Sequence, residues 1–351
     1  MELRHLVDLE DVETEKIMDI LTMAGAIMRN TGYYSDSCHS KVMATLFYEP
    51  STRTRMSFEA AMLRLGGSVI GFNDPQNSSV SKGESLKDTI TMVSNYADII
   101  AMRHYMEGAA KAAAIFSRVP VINAGDGGHL HPTQTLTDLF TLMETKGRLD
   151  GLTIGLCGDL KYGRTVHSLI KTMSRFKNNK FVLISTPELN VPDYIKSFMD
   201  KHGCEYKQAT SLESEIGGLD VLYMTRIQRE RFKSEEEYNR QKGVFILDGE
   251  KMKKAKSDMK VLHPLPRVDE ITYDVDDDER AVYFKQSEYG LYARMSLILH
   301  MLEKGDKRFD KRTEPNTEKC CGNLKCITHF EHYLPKLEDD GKCGYCESKL
   351  L

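Results

Sequence analysis

No stretch of this sequence is long, apolar and uncharged enough to cross a membrane, and the opening residues, Met1-Glu-Leu-Arg-His-Leu-Val-Asp-Leu-Glu10, hold no apolar secretory core. A cytoplasmic protein without a membrane partner is the expectation. Excess charge of either sign is missing too. With 48 basic against 52 acidic residues the formal net charge is -4, too balanced for a nucleic-acid or anionic-membrane partner. There is no internal repeat and no low-complexity tract. The glycines of 158–163 are not spaced as G-x-G-x-x-G, which argues against a dinucleotide loop. Cysteine is scarce over most of the chain, where Cys38, Cys157 and Cys204 stand alone; the others crowd the C-terminal end. In a reducing compartment such a cluster reads as a metal site rather than a disulfide framework.

What is present is a globular α/β pattern. The 351 residues are too many for one ordinary core, and 40% hydrophobic with 28% charged residues is the composition of a soluble protein, so two domains and a small appendage are expected. The organising stretch is Tyr48-Glu-Pro-Ser-Thr-Arg-Thr-Arg55 and the run that follows to Gly67. Residues 42–48 are strand-like, Pro50-Ser51 stops the strand, Ser51 suits a helix cap, and 52–65 are good helix formers ended by Gly66-Gly67. Ser51, Thr52, Arg53, Thr54 and Arg55 therefore fall on a strand-to-helix corner. Unpaired N–H groups, the positive end of the helix dipole, hydroxyls and guanidinium groups together make an anion site, and this density of donors suits phosphate. Capping alone would explain the hydroxyls, and surface arginines need no ligand.

Helical periodicity is also read over 11–28, 84–96, 107–116, 133–145, 165–176, 193–201 and 286–303, and strands over 69–72, 97–102, 119–124, 152–157, 181–185, 221–225, 244–247 and 261–262. Residues 73–84 are rich in turn formers and read as a mobile loop. The acidic run 274–280 reads as a solvated loop, and 304–318 as a linker. The fold class is α/β, two domains each with a mainly parallel sheet flanked by helices, plus a small C-terminal metal-binding module. The boundaries are 1–148, 149–303 with 286–303 packing back on the first domain, 304–318 and 319–351.

In open α/β sheets ligands sit where strands end and helices begin. Those corners hold Ser51 to Arg55; Ser79, Ser81 and Lys82; Arg103 and His104; His129, His131 and Gln134; Arg164 and Thr165; Arg226 and Gln228; and His263-Pro-Leu-Pro-Arg267. A lone histidine at a glycine corner is ordinarily a packing residue and a lone loop lysine a solvated one. Here they share one address. Nearly all these corners present cations or neutral donors, and no pair of corner carboxylates suggests acid–base work, so the pattern is one for holding several negative charges at once.

Glu49-Pro-Ser-Thr-Arg-Thr-Arg55, Val80-Ser-Lys-Gly-Glu84, Met102-Arg-His104, His131-Pro-Thr-Gln134, Gly158-Asp-Leu-Lys-Tyr-Gly-Arg-Thr165, Met224-Thr-Arg-Ile-Gln228 and His263-Pro-Leu-Pro-Arg-Val-Asp269 resemble, in order, the catalytic chains of aspartate carbamoyltransferases over about residues 1–303. The resemblance implies transfer of a carbamoyl group from carbamoyl phosphate to L-aspartate, a step of pyrimidine biosynthesis. It makes 1–148 the carbamoyl phosphate-binding domain and 149–303 the aspartate-binding domain. It implies that Ser51, Thr52, Arg53, Thr54 and Arg103 hold the phosphate. His131, with Arg103 and Thr54, would polarise the carbonyl, and Gln134 would bind the carbamoyl amide. Lys82, with Ser79, would reach in from a neighbouring subunit of a homotrimer; Ser81 is the alternative to Ser79. Arg164, Arg226 and Gln228, with Thr165 assisting, would grip the carboxylates of aspartate, and main-chain groups of Pro264 and Leu265 would orient it. In the family the bond equivalent to Leu265-Pro266 is cis. Domain closure would expel water from the pair. Ornithine carbamoyltransferases are the nearest competitor in chemistry; their acceptor has one carboxylate, and they typically read His-Cys-Leu-Pro, so Arg226 and Pro264 favour aspartate. A non-catalytic scaffold of the same fold is the binding-class alternative, and the full set of corner donors weighs against it.

At the C-terminal end, Cys321, Cys326, Cys343 and Cys346 have the spacing of a four-thiolate zinc site, with Cys320 an alternative to Cys321 and His329 or His332 as neighbours. So small a module has little core, and structural zinc would stabilise its fold. The segment resembles the zinc domain of the separate regulatory chain of the same enzymes, without that chain's nucleotide-binding domain. It is expected to bridge catalytic subunits into larger assemblies.

Overall fold

The computed structural model describes residues 4–229, 232, 234–303 and 317–351, the side chain of Asn77 excepted. The chain forms two compact units, 1–133 with 291–351, and 134–290.

In the first unit α1 (Thr14–Arg29) precedes β1 (Val42–Phe47), α2 (Thr52–Arg64), β2 (Ser68–Phe72), α3 (Leu86–Val93), β3 (Ile99–His104), α4 (Ala109–Phe116) and β4 (Val121–Asp126). These four strands form one sheet, all its pairs parallel, in the order β2-β1-β3-β4. Strands β1, β3 and β4 are buried almost throughout, as expected of a parallel sheet covered by helices. The chain builds outward from β1 to β2, then returns to the other side of β1 for β3. The strand order thus reverses between β1 and β3, which opens a crevice at their C-terminal ends.

Helix α5 (Pro132–Lys146) leads into the second unit. There β5 (Thr153–Cys157), α6 (Arg164–Met173), β6 (Lys180–Ile184), α7 (Asp193–Lys201), β7 (Glu205–Ala209), α8 (Leu212–Glu215), β8 (Val221–Met224), α9 (Glu235–Gln241), α10 (Gly249–Lys254) and β9 (Lys260–Leu262) form a parallel sheet of order β7-β6-β5-β8-β9. The reversal here lies between β5 and β8. Gly158, just past β5, has φ +118°, and a Cβ there would run into the Thr225 carbonyl, so only glycine allows the two strand ends to approach. Helix α11 (Tyr283–Leu302) closes this part of the chain, and in the first unit its Ser296 hydroxyl donates to the Ile20 carbonyl at 2.7 Å.

Three expectations need correction. Residues 244–247 are not a strand: Phe245 and Leu247 are buried, but only Leu247 makes a single bridge, to Ile271. Strand β7 was not anticipated, because its Glu-Tyr-Lys-Gln-Ala sequence is polar and largely exposed at the sheet edge. The acidic run 274–280 is not simply solvated. It contains a short helical turn, Tyr273–Asp277; Asp276 pairs with Arg267 and Asp278 with Arg280. The expected linker lies, for 304–316, outside the described residues.

The C-terminal segment 317–351 has two two-residue strands, β10 (Glu338–Asp339) and β11 (Lys342–Cys343), paired antiparallel. It belongs to the first unit, and its Ile327, Leu334, Leu337, Tyr345 and Leu350 share one apolar cluster with Met106, Ala109, Ala112 and Ala113.

Candidate active site and metal centre

Ser51 stands at the N-cap of α2 in extended conformation, yet its hydroxyl makes no capping bond. A serine that caps by position without spending its oxygen leaves both that oxygen and the helix's first N–H groups available to an anion. Thr54 is buried on the first turn, with Arg53 and Thr52 beside it. On the adjacent strand end Arg103 is almost buried, and its guanidinium forms an ion pair with the Glu49 carboxylate at 2.9 Å. Burial holds Arg103 below its ordinary value, an effect Glu49 opposes. Glu49 therefore aims a cation beside the helix terminus, a positioning role that sequence reading missed. It sits inside the quoted motif, but nothing local marks Arg103 as its partner.

His131, also buried, follows β4 by a corner whose own polar groups are committed to each other. Asp126 takes the Gly108 N–H at 2.8 Å, the Leu130 N–H at 3.1 Å and the Asn123 side chain at 3.1 Å. His129 Nδ1 lies 3.1 Å from Asp126 and its Nε2 3.9 Å from Glu347. Burial disfavours the His129 cation, but the two carboxylates outweigh it and raise the pKa. His129 thus braces the corner. His104 is buried, stacked on Tyr105 and tilted against Tyr48, accepts the Met106 N–H at 3.0 Å, and is pushed by desolvation down to about 3, so it packs as a neutral ring. Gln134, on the first turn of α5, donates to Asp138 at 2.8 Å, and Asp138 also takes the Tyr223 hydroxyl and the Gln286 amide. The i, i+4 spacing of Gln134 and Asp138 is a signal that the sequence did carry.

Residues 75–77 and 79–82 each form a short helical turn, so the loop expected over 73–84 is partly ordered. Ser81 donates its hydroxyl to the Ser78 carbonyl at 2.7 Å, which ties it to the loop's own backbone; Lys82 is exposed.

In the second unit the ends of β5, β8 and β9 are neighbours. Arg164 and Thr165 open α6 after β5, Arg226 and Gln228 follow β8, and Gln228 donates to the Tyr162 carbonyl at 3.3 Å. After β9, Leu265-Pro266 is cis and Leu265 has φ +52°. The turn is fixed by His263, whose Nδ1 accepts the Leu265 N–H at 2.8 Å and whose Nε2 lies 2.6 Å from Glu270. Glu270 also accepts the Val268 and Asp269 N–H groups, each at 3.1 Å. Glu270 too was missed, since its role depends on the turn bringing it back to His263.

The residues at each reversal point are donors and cations, and each set by itself is suited to an anionic ligand. Comparison with known proteins gives the same direction. Residues 4–144 match the family model for the carbamoyl-P binding domain of aspartate/ornithine carbamoyltransferases, and 150–301 that for their Asp/Orn binding domain. The aspartate carbamoyltransferase catalytic subunit of Clostridium perfringens is 62% identical over 300 residues, covering 85% of this chain and 98% of that protein. The chain belongs to the aspartate carbamoyltransferase family. Among solved structures, the catalytic subunit of M. jannaschii aspartate transcarbamoylase is 48% identical with a TM-score of 0.81, covering 86% of this chain and 99% of that one. Trypanosoma cruzi aspartate transcarbamoylase in complex with carbamoyl phosphate and aspartate is 36% identical with a TM-score of 0.80, covering 85% and 97%. The same enzyme has been solved with N-(phosphonacetyl)-L-aspartate. This chain is a transferase with the parallel-sheet architecture of that family.

Beyond the matched residues lies the cysteine cluster. The thiol sulfurs of Cys321, Cys326, Cys343 and Cys346 are buried and all lie within 4.8 Å of one another, with Cys321–Cys346 at 3.5 Å and Cys326–Cys343 at 3.8 Å. A tetrahedral ion with Zn–S bonds near 2.3 Å needs sulfur–sulfur separations of about 3.8 Å, so these residues fit a metal. Cys321, not Cys320, is the member brought in; Cys320 is exposed, with Lys336 at 3.4 Å. The Asn323 N–H and the Thr328 hydroxyl donate to Cys321 and Cys326 at 3.4 and 3.3 Å, as outer partners of thiolates do. His329 is not in the group; its Nε2 is 2.8 Å from the Cys321 carbonyl.

Proposed function

We propose that the chain transfers the carbamoyl group of carbamoyl phosphate to the amine of L-aspartate with the roles its motifs imply. Ser51, Thr52, Arg53, Thr54 and Arg103 hold the phosphate. Arg103, Thr54 and His131 polarise the carbonyl, and Gln134 takes the carbamoyl amide. Arg164, Arg226 and Gln228, with Thr165, bind the aspartate carboxylates, and Pro264 and Leu265 orient the substrate through the main chain. Lys82 and Ser79 serve a neighbouring subunit's site in a homotrimer. The observation that carries this reading is the coincidence of each cation cluster with the point where its sheet reverses strand order.

The chemistry needs no side-chain nucleophile. The substrate amine attacks the carbamoyl carbon, a C–N bond forms, and the C–O bond to phosphate breaks with its electron pair leaving on phosphate, which takes up the proton that the amine sheds. Negative charge grows on the carbonyl oxygen and on the leaving group, where prearranged donors supply the main catalytic term. Holding amine and carbonyl in contact removes a large entropic barrier. In this reading 1–148 binds carbamoyl phosphate, 149–303 binds aspartate, 304–318 links, and 319–351 is a module resembling the regulatory chain's zinc domain. The four cysteines hold structural zinc, and the module contributes to larger assemblies. The protein is cytoplasmic.

Purified full-length chain is expected to form carbamoyl aspartate from carbamoyl phosphate and L-aspartate, and not to carbamoylate L-ornithine; product from ornithine alone would refute the acceptor assignment. Sedimentation with and without a zinc chelator, and after deletion of 310–351, tests the assembly role, which fails if particle size does not change.

A further inference from the structure

The C-terminal module is seated on the first unit where α3 and α4 begin. The Glu107 N–H donates to the Lys325 carbonyl at 3.1 Å, the Ile327 N–H returns to the Glu107 carbonyl at 3.0 Å, and Asn323 donates to the Glu107 carboxylate at 2.6 Å. Gly108, at φ +82°, lets Tyr345 lie against the backbone, where a Cβ would collide with it.

The same module supplies the N-terminus of α3. A helix leaves its first N–H groups without intrahelical partners. In α3, the Leu86 N–H donates to the Glu331 carboxylate at 2.9 Å, the Lys87 N–H to the Tyr333 hydroxyl at 2.8 Å, and only the Asp88 N–H to the helix's own cap, Ser85, at 3.1 Å. Glu331 also places a negative charge at the positive end of the helix. Tyr333 is held edge-on to Phe116 of α4 at 5.7 Å, with the Lys87 ammonium 5.8 Å from its ring centroid. Helix α3 has 8 residues, too few to be stable on local bonds alone. It is entered directly from the loop that carries Ser79 and Lys82, tied to it by the Glu84 N–H on the Ser79 carbonyl at 3.3 Å and the Thr89 hydroxyl on Glu84 at 2.7 Å.

We propose that Glu331 and Tyr333 are positioning residues for carbamoyl transfer: by capping α3 from the metal module they fix the start of that helix and, through it, the pose of Lys82 and Ser79. The catalytic half of this inference rests on the Lys82 assignment above; the capping half does not. The module is thereby coupled to turnover at the neighbouring subunit's site that Lys82 and Ser79 serve, with no regulatory nucleotide site required.

The test uses full-length, zinc-loaded protein. Glu331→Ala and Tyr333→Phe should keep the zinc content, and hydrogen exchange of peptides spanning 73–93 should quicken about tenfold, the effect of losing one helix cap. The kcat/KM for aspartate should fall by a similar factor of about ten, and Glu331→Gln, which keeps an acceptor oxygen, should recover most of it. On a Lys82→Ala background the Glu331→Ala change should cost no further activity, as expected of two residues acting through one contact. Unchanged exchange over 73–93 would overturn the capping claim. An undiminished loss from Glu331→Ala on the Lys82→Ala background would overturn its route through the loop. Wild-type turnover in Lys82→Ala alone would overturn the site reading, and exchange would still report on the cap separately.

Discussion

The catalytic body and the C-terminal module are held together by different physics. In the body, strands such as β1, β3 and β4 are buried almost end to end beneath helices, so apolar area carries the fold and ligand groups sit at the strand ends. In the module the strands are two residues long, and the buried apolar side chains gather around four sulfurs and the neighbouring surface of α4. The body can lose a site residue and stay folded. On the zinc reading, loss of a metal ligand should cost the module its shape, because its strands are short and its own core is small.

Breaking the two regions separately should give opposite phenotypes. Arg53→Ala should lower turnover by about a thousandfold or more, with zinc content and melting temperature unchanged, since it removes donors from a charge that develops in the transition state; steady-state assay beside calorimetry checks this. Arg226→Ala is expected to act mainly on the acceptor, raising KM for aspartate by about a hundredfold while KM for carbamoyl phosphate stays within twofold, as loss of a charge-assisted bidentate contact would. Cys326→Ser or chelation should release zinc and quicken hydrogen exchange across 317–351. The body should keep its own melting transition and, through the loosened α3, an activity lowered about tenfold rather than abolished.

A smaller effect sharpens the contrast from within the body. Burial pushes the Glu270 carboxyl up, but His263 and the Val268 N–H more than offset it, so its pKa lies below the ordinary glutamate value. Stability from this group is therefore full above the ordinary carboxylate range and is lost as pH falls through the depressed value. Glu270→Gln should cost about 1–3 kcal/mol at neutral pH and flatten the acid limb of the stability profile; urea titrations between pH 3 and 7 on both proteins, as about the accessible range, would measure it.

Much of this was legible in the sequence because it is local. The strand Val42–Phe47, the corner at Pro50-Ser51 and the helix from Thr52 follow from apolar alternation, a break and helix formers. Helix α7 is where its periodicity puts it. What was not legible depends on distant partners. Strand β7 is polar because only its backbone is used, paired to β6. Residues 244–247 look like a strand because Phe245 and Leu247 are buried on alternate positions, but among the described residues they make a single bridge, Leu247 to Ile271. Helix α9 did carry a local mark, Ser234 accepting the Glu237 N–H as its cap, within a run too charged to show an apolar face. The pairings of Glu49 with Arg103 and of Glu270 with His263, and the capping of α3 from residues 331 and 333, arise only once the chain has folded. Motifs named the donors; the carboxylates that aim them came from the fold.

The central claim is that one cation cluster takes the phosphate and the other the dicarboxylate. Calorimetric titration with N-(phosphonacetyl)-L-aspartate, which joins both anions in one molecule, tests it most directly. The wild-type chain should bind tightly, and Arg53→Ala and Arg226→Ala should each weaken binding by about a hundredfold or more, the size of loss a charged, desolvated contact brings. Binding within twofold of wild type in either variant would contradict the assignment of that cluster.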